Sequence, residues 1–249
     1  MHTINLCTYT DWMIKKNKKA VILAGGLGTR LKSVLKDKPK PMVDVHGKPF
    51  LEYQLQELKK AEFLDIILCI GFKSEVISSY FQSGDHLGIS LEYSVEKNPL
   101  GTAGAIKNAE DLVSNPFLVI NGDTFIEMDF QKFFELHNQK KSMFSVALAS
   151  NNNQTDCGSV RIDKDGRIID FQENFPLKGN YLVNMGVYII NPLILKYIPK
   201  NKKYSLEKEL IPNLISKGIE CFGFCFKNQF MDIGTPDRLE LFKKKKSKV

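Results

Sequence analysis

The chain has 249 residues, of which 43% are hydrophobic and 25% charged, the balance of an ordinary globular protein with a substantial core. No apolar run approaches the ~18 residues of a membrane helix, and Met1–Met13 lacks the basic-then-apolar order of a secretion leader, so the expected location is the cytoplasm. The formal net charge of +7 sits at the ends, in Lys15, Lys16, Lys18 and Lys19 and in Lys243–Lys246 and Lys248; between them acidic residues just outnumber basic ones, which argues against a nucleic-acid binder.

Residues 1–17 are irregular and read as an extension ahead of a main domain over 18–242, with a basic tail over 243–249 read as solvated. The first element is the apolar run Val21–Ala24, a strand covered on both faces. It enters Gly25-Gly26-Leu27-Gly28-Thr29-Arg30-Leu31, and Lys38-Pro39-Lys40-Pro41-Met42 follows. Glycines leave backbone N–H groups free to approach an anion, and Arg30 and Lys40 add fixed positive charge, so strand, loop and cations describe a phosphate site. The loop is not a Walker P-loop, because no GxxxxGK[ST] string occurs. It is not a dinucleotide fingerprint either, because the third glycine of GxGxxG falls on Leu31.

Further strands are predicted at 66–70, 117–121 and 144–149, and helices at 51–61, 73–81, 104–112 and 130–140. This alternation implies an α/β fold with a mostly parallel sheet between helices. Beyond residue 150 the texture changes. A hairpin is predicted over 159–163 and 167–171 about Lys164-Asp165-Gly166, then a strand at 181–190, a helix at 206–215 and a strand at 220–226. The expected architecture is therefore a first part, 18–150, and a smaller α+β part, 151–242, with a substrate cleft between them.

Asn121-Gly122-Asp123 lies at the end of the 117–121 strand, where open α/β sheets place ligands. A carboxylate there suits Mg²⁺, although from spacing alone a turn aspartate is the simpler reading. Asp232, after Phe230-Met231 and before Gly234-Thr235-Pro236, is a second such carboxylate. Five cysteines, Cys7, Cys69, Cys157, Cys221 and Cys225, form no CxxC pair and read as reduced thiols.

Leu23-Ala24-Gly25-Gly26-Leu27-Gly28-Thr29-Arg30-Leu31, Pro39-Lys40-Pro41-Met42, Gly101-Thr102-Ala103-Gly104-Ala105, Asn121-Gly122-Asp123, Asn184-Met185-Gly186-Val187-Tyr188 and Asp232-Ile233-Gly234-Thr235-Pro236 together resemble the signatures of sugar-1-phosphate nucleotidylyltransferases, in family order across residues 19–242. The resemblance implies a Rossmann-like, glycosyltransferase-A-like fold, with 18–150 binding nucleotide and 151–242 binding sugar. It implies transfer of a nucleoside monophosphate from a triphosphate to a sugar 1-phosphate, with release of pyrophosphate. Under it, Arg30, Lys40 and Asp123 are catalytic: Arg30 meets the β and γ phosphates, and Lys40 the phosphate under attack. Leu23, Ala24, Gly25, Gly26, Gly28, Thr29, Arg30, Glu96, Gly101, Thr102, Asn121 and Gly122 bind the nucleotide. Gly158, Glu173, Asn184, Gly186 and Lys40 bind the sugar phosphate, and Asp123 and Asp232 hold Mg²⁺.

The Leu-Gly-Thr-Ala-Gly form at 100–104 is similar to the guanylyl-transferring branch, which makes GTP the expected nucleotide. Glu96 could then accept from guanine N1–H and the N2 amine, or be a loop charge. Arg30-Leu31-Lys32-Ser33-Val34-Leu35 departs from the usual Arg-Leu-x-Pro-x-Thr in the manner of the D-glycero-D-manno-heptose 1-phosphate guanylyltransferases of surface-polysaccharide synthesis. A second departure places Asn174 where the family has a lysine for the sugar phosphate, with Lys178 and Arg161 as candidate replacements. Mannose 1-phosphate with GTP, a uridylyltransferase, and a non-catalytic nucleotide-sugar-binding homologue are the alternatives, and a homo-oligomer is left open.

Overall fold

The computed structural model describes residues 18–26, 28–31, 35, 38–150, 158–173, 181–227 and 230–247. The predicted extension 1–17 lies outside them. The chain runs through β1 (Lys19–Leu23), short 3-10 turns at Thr29–Leu31 and Lys40–Met42, β2 (Asp44–Val45), β3 (Lys48–Pro49), α1 (Phe50–Lys60), β4 (Asp65–Ile70), α2 (Ser74–Phe81), β5 (Ser90–Val95), α3 (Gly101–Asn108), β6 (Phe117–Asn121), β7 (Thr124–Ile126), α4 (Phe130–Gln139) and β8 (Phe144–Ala149). It continues through β9 (Ser159–Ile162), β10 (Ile168–Gln172), β11 (Leu182–Ile190), a π turn at Leu206–Leu210 leading into α5 (Ile211–Ser216), β12 (Cys221–Cys225), β13 (Phe230–Asp232) and α6 (Pro236–Lys246).

A nine-stranded sheet is the backbone of the molecule. Its main path is β10-β9-β11-β6-β1-β4-β5, and β8 joins β11 to β12. β1 pairs in parallel with β4 and β6, and β4 with β5, so these strands are covered on both faces. Ala20 and Ile22 of β1 point into a core shared with α1, α2 and α4. Val21 points the other way, into a core shared with α3 and α5. A third cluster, Leu31, Val45, Phe50, Phe125, Ile233, Leu239 and Phe242, packs beneath the segments that follow β1, β6 and β13.

Three differences from the sequence reading have physical causes. First, the strands of the expected α+β part that the structure describes, apart from the short β13, join the sheet of the first part. β11 lies antiparallel against β6, so the second half extends the first half's sheet. Second, α3 begins at Gly101 rather than after Gly104, and the N–H groups of Ala103 and Gly104 donate to the Tyr204 carbonyl at 3.0 and 3.1 Å. These amides serve the join between the two halves. Third, Lys243–Lys246 are the last turn of α6, not a solvated tail. Lys246 lies 4.0 Å from the Phe125 ring centroid and 3.1 Å from Glu127, and four cations suit the negative end of a helix. The hairpin forms as expected, with Asp163 Oδ1 accepting from the N–H groups of Asp165 and Arg167.

Candidate active site

The site grows from the parallel neighbours β1 and β6, whose carboxyl ends release two loops side by side. The Gly122 N–H donates to the Leu23 carbonyl at 3.0 Å, and a Cβ on residue 122 would stand 2.4 Å from that oxygen, so a side chain there would part the loops. Gly28 turns with φ +60°, and a Cβ would strike Leu35 and the Cβ of Lys40. The glycines thus bring the Lys40 turn against the loop after β1.

Above these loops opens a cavity of about 440 Å³, a size suited to a small ligand. Of the residues assigned to the nucleotide, Leu23, Ala24, Gly25, Gly26, Gly28, Glu96, Gly101, Thr102, Asn121 and Gly122 line it, together with Lys40 and Asp123. Arg30 lies one step away, in adjoining spaces, and the side chain of Thr29 is outside the described residues. Lys203, just before the π turn, lines the cavity too. Glu96 Oε2 accepts from the Leu100 N–H at 2.8 Å, and Oε1 lies over Gly25. Burial pushes this carboxyl up, and the Leu100 N–H offsets part of that effect.

A smaller cavity of about 130 Å³ adjoins the first and shares Asn121 and Asp123 with it. Gly158, Glu173, Asn184 and Gly186, the four residues assigned to the sugar, line it with Arg30 and Asp232. So do two residues the sequence reading passed over, Glu207 and Arg238. Arg161 instead faces Asp170 at 3.9 Å and packs on the Tyr181 ring, so it does not replace the family lysine. Asn174 and Lys178 lie outside the described residues. Among the described residues, the cations lining this cavity are Arg30 and Arg238.

A line of hydrogen bonds ties the two cavities together. Asn184 Oδ1 accepts from the Gly186 N–H at 3.0 Å, and its Nδ2 donates to Tyr188 Oη at 2.8 Å. The Tyr188 hydroxyl donates to Glu207 Oε1 at 3.2 Å, and Glu207 Oε2 accepts from Thr102 Oγ1 at 2.8 Å. Burial holds the Tyr188 hydroxyl well above its ordinary value, so it stays a neutral donor. Asn184 at the smaller cavity and Thr102 at the larger one are therefore linked through the Tyr188 hydroxyl and the Glu207 carboxylate.

Asp123 and Asp232 meet because β7 and β13 are antiparallel partners with Asp232 opposite Thr124, and the Ile233 N–H donates to the Asp123 carbonyl at 2.9 Å. Each carboxylate is held by a cation: Lys40 Nζ at 2.7 Å from Asp123 Oδ2, and Arg238 Nη1 at 2.7 Å from Asp232 Oδ2. Asp232 Oδ1 accepts from the Gly234 N–H at 2.8 Å. Among the described residues no cluster of three or more His, Cys, Asp or Glu exists. Two hard oxygen donors beside a phosphate-sized cleft fit a divalent ion that takes one or two protein carboxylates and fills its shell from phosphate and water.

Residues 19–248 match the nucleotidyl transferase family. A D-glycero-alpha-D-manno-heptose 1-phosphate guanylyltransferase of Campylobacter jejuni is 40% identical over 219 residues, covering 88% of this chain and 96% of that protein. One of Aneurinibacillus thermoaerophilus is 39% identical, covering 88% and 94%. The structure of HddC from Yersinia pseudotuberculosis complexed with GMP-PN superposes with a TM-score of 0.80 at 35% identity, over 92% of this chain and 99% of that one. The match takes in both loops, both cavities and the two carboxylates between them, and the chain belongs to the nucleotidyl transferase family.

Proposed function

We propose that this protein transfers a guanylyl group from GTP to D-glycero-α-D-manno-heptose 1-phosphate, making the GDP-sugar for surface polysaccharide and releasing pyrophosphate. The observation that carries the reading is the junction at Lys40 and Asp123, where a nucleotide-sized cavity backed by glycine amides meets a small polar cavity lined by Glu173, Asn184, Glu207 and Arg238. The guanylyltransferase names of the relatives supply the base and the sugar.

A sugar 1-phosphate is already an anion, so its oxygen needs no base to attack the α-phosphorus. The bond from that phosphorus to the bridging oxygen breaks, and pyrophosphate leaves with the electron pair. The barrier is the meeting of two polyanions and the charge that gathers on the leaving group. In our reading the Gly25–Gly28 amides hold the triphosphate, Arg30 meets its β and γ phosphates, and Lys40 faces the α-phosphate where charge develops. Arg238 binds the sugar phosphate in place of the family lysine, and Glu173 and Asn184 accept and donate to sugar hydroxyls. Enzymes of this family work with a divalent metal. We take it to be Mg²⁺, held by Asp123 and Asp232, where it supplies charge neutralisation for the phosphates. Reliance on the GTP pool places the reaction in the cytoplasm.

The test is a matrix of GTP, UTP, CTP and dTTP against heptose, mannose and glucose 1-phosphates, read by pyrophosphate release. GTP with the heptose phosphate is expected to give the highest kcat/KM. A higher value for mannose 1-phosphate or UTP reassigns sugar or base, and no turnover with any pair overturns the enzymatic reading.

A further inference from the structure

Behind the Asp123 turn, on the side away from the cavities, stands Gln54 of α1, only 3% exposed. Its Nε2 donates to the Asn121 carbonyl at 3.0 Å and to the Thr124 carbonyl at 2.6 Å, the two carbonyls that bracket Gly122 and Asp123. Both amide hydrogens are spent on one turn. The amide cannot sit the other way round, because Oε1 would then face two acceptors. Oε1 itself is buried without a hydrogen-bond partner, a state that costs roughly 1–3 kcal/mol. A leucine or methionine would fill the same helix position without that cost, so the donor end has to offset it.

The turn's backbone is otherwise tied by backbone groups, while Lys40 and the Thr124 hydroxyl reach only the Asp123 carboxylate. The Gly122 N–H donates to Leu23, and the Ile233 N–H takes the Asp123 carbonyl. Gln54 holds the turn by its carbonyls, and it comes from an element that lines neither cavity.

We infer that Gln54 is a positioning residue for the Asp123 carboxylate: it fixes the Asn121–Thr124 turn so that Asp123 faces the junction of the two cavities before substrate or metal arrives. The inference rests on the role proposed for Asp123. Groups behind a metal-binding side chain typically change affinity or activity by about 10- to 100-fold when removed.

Gln54→Met keeps the shape of the side chain and removes both donors. It is expected to lower kcat about 10- to 100-fold and raise the Mg²⁺ concentration needed for half-maximal rate, with KM for GTP changed less than twofold or so. Hydrogen–deuterium exchange of the protein without metal or nucleotide gives the second readout. Amides of residues 121–124 should exchange faster in the variant while those of β1 and β4 keep their protection. Gln56→Met, on the same helix with its amide on Glu52, is the control and should match the wild type. Wild-type kcat and metal requirement in Gln54→Met, or unchanged protection of the turn, overturns the inference. If the variant does not fold, the wild type decides: a turn that exchanges as fast as exposed loops in the metal-free protein is not clamped. Asp123→Asn separates the two claims, since full activity there would sink the role of Asp123 itself.

Discussion

Lys40 Nζ stands 2.7 Å from Asp123 Oδ2 at the point where the larger and smaller cavities join. The pair joins the 3-10 turn after the glycine loop to the turn after β6, and Lys40 is the more buried partner, with 12% of its side chain exposed. Under the proposed function, a divalent ion held by Asp123 would release the charge of Lys40 toward a phosphate in the adjoining cavity. Lys40→Ala is therefore expected to lower kcat by about 100- to 1000-fold, the usual loss when one preorganised donor to developing charge is removed. Steady-state kinetics alongside a thermal melt checks this, and wild-type kcat in a folded variant would remove Lys40 from the mechanism.

Arg238 plays the corresponding part for Asp232. Its Nη1 sits at 2.7 Å from Asp232 Oδ2 on the first turn of α6. Arg238→Gln is expected to raise KM for the sugar 1-phosphate about 10-fold or more, as for a lost charged hydrogen bond, with a smaller change for GTP. Asp232→Asn should instead raise the metal requirement, and excess chelator should stop turnover. Titrating metal and sugar phosphate separately distinguishes the two, and equal effects on both substrates in Arg238→Gln would contradict its assignment.

What the sequence made legible was local. Val21–Ala24 and Phe117–Ile120 announce buried parallel strands because every residue in them is apolar, and glycines after such strands can only be turns or close approaches. Arg238 was passed over although it carried a signal: a cation in a first helical turn opposes the helix dipole, so its place needs another reason. Glu207 gave no such hint, because an acidic residue two positions after a capping Ser205 looks like part of an ordinary helix start. Its meeting with Thr102, 105 positions away, depends on Tyr204 docking onto α3. The lysines at 243–246 look solvated in isolation, and it is contacts far off in sequence, such as those of Lys245 and Lys246 with the ring of Phe125 and the carboxylate of Glu127, that make this turn part of the fold.

His137 is expected to contribute an acid limb to the stability profile. It is 2% exposed on α4, with Nδ1 at 2.8 Å from Ser145 Oγ, and burial lowers its pKa from 6.5 to about 4. The unfolded chain binds a proton between those values and the folded one does not, so stability is complete above pH 6.5 and falls as the pH drops toward 4. The contribution is on the order of 3 kcal/mol. In His137→Gln the melting temperature should fall less steeply across that window than in the wild type. Parallel curves would show that other groups carry the acid loss.

If Glu96 reads the base as proposed, it is expected to link pH to nucleotide binding by the opposite shift. Its carboxyl is raised above 4.5 by burial, so acid neutralises it sooner than an ordinary glutamate. An ionised carboxylate can accept from both N1–H and the N2 amine of guanine, and a protonated one cannot. Glu96→Gln is likewise confined to a single acceptor. The ratio of KM for GTP between variant and wild type should therefore be about 10-fold or more near neutral pH and shrink as the pH falls through the raised carboxyl pKa, because the wild type loses what the variant already lacks. Taking the ratio cancels titration of the phosphates themselves. Inosine triphosphate, which has no N2 amine, should be discriminated from GTP by the wild type and far less by Glu96→Gln. A pH-independent ratio near one would show that Glu96 is a loop charge holding the Leu100 N–H and that guanine is read elsewhere.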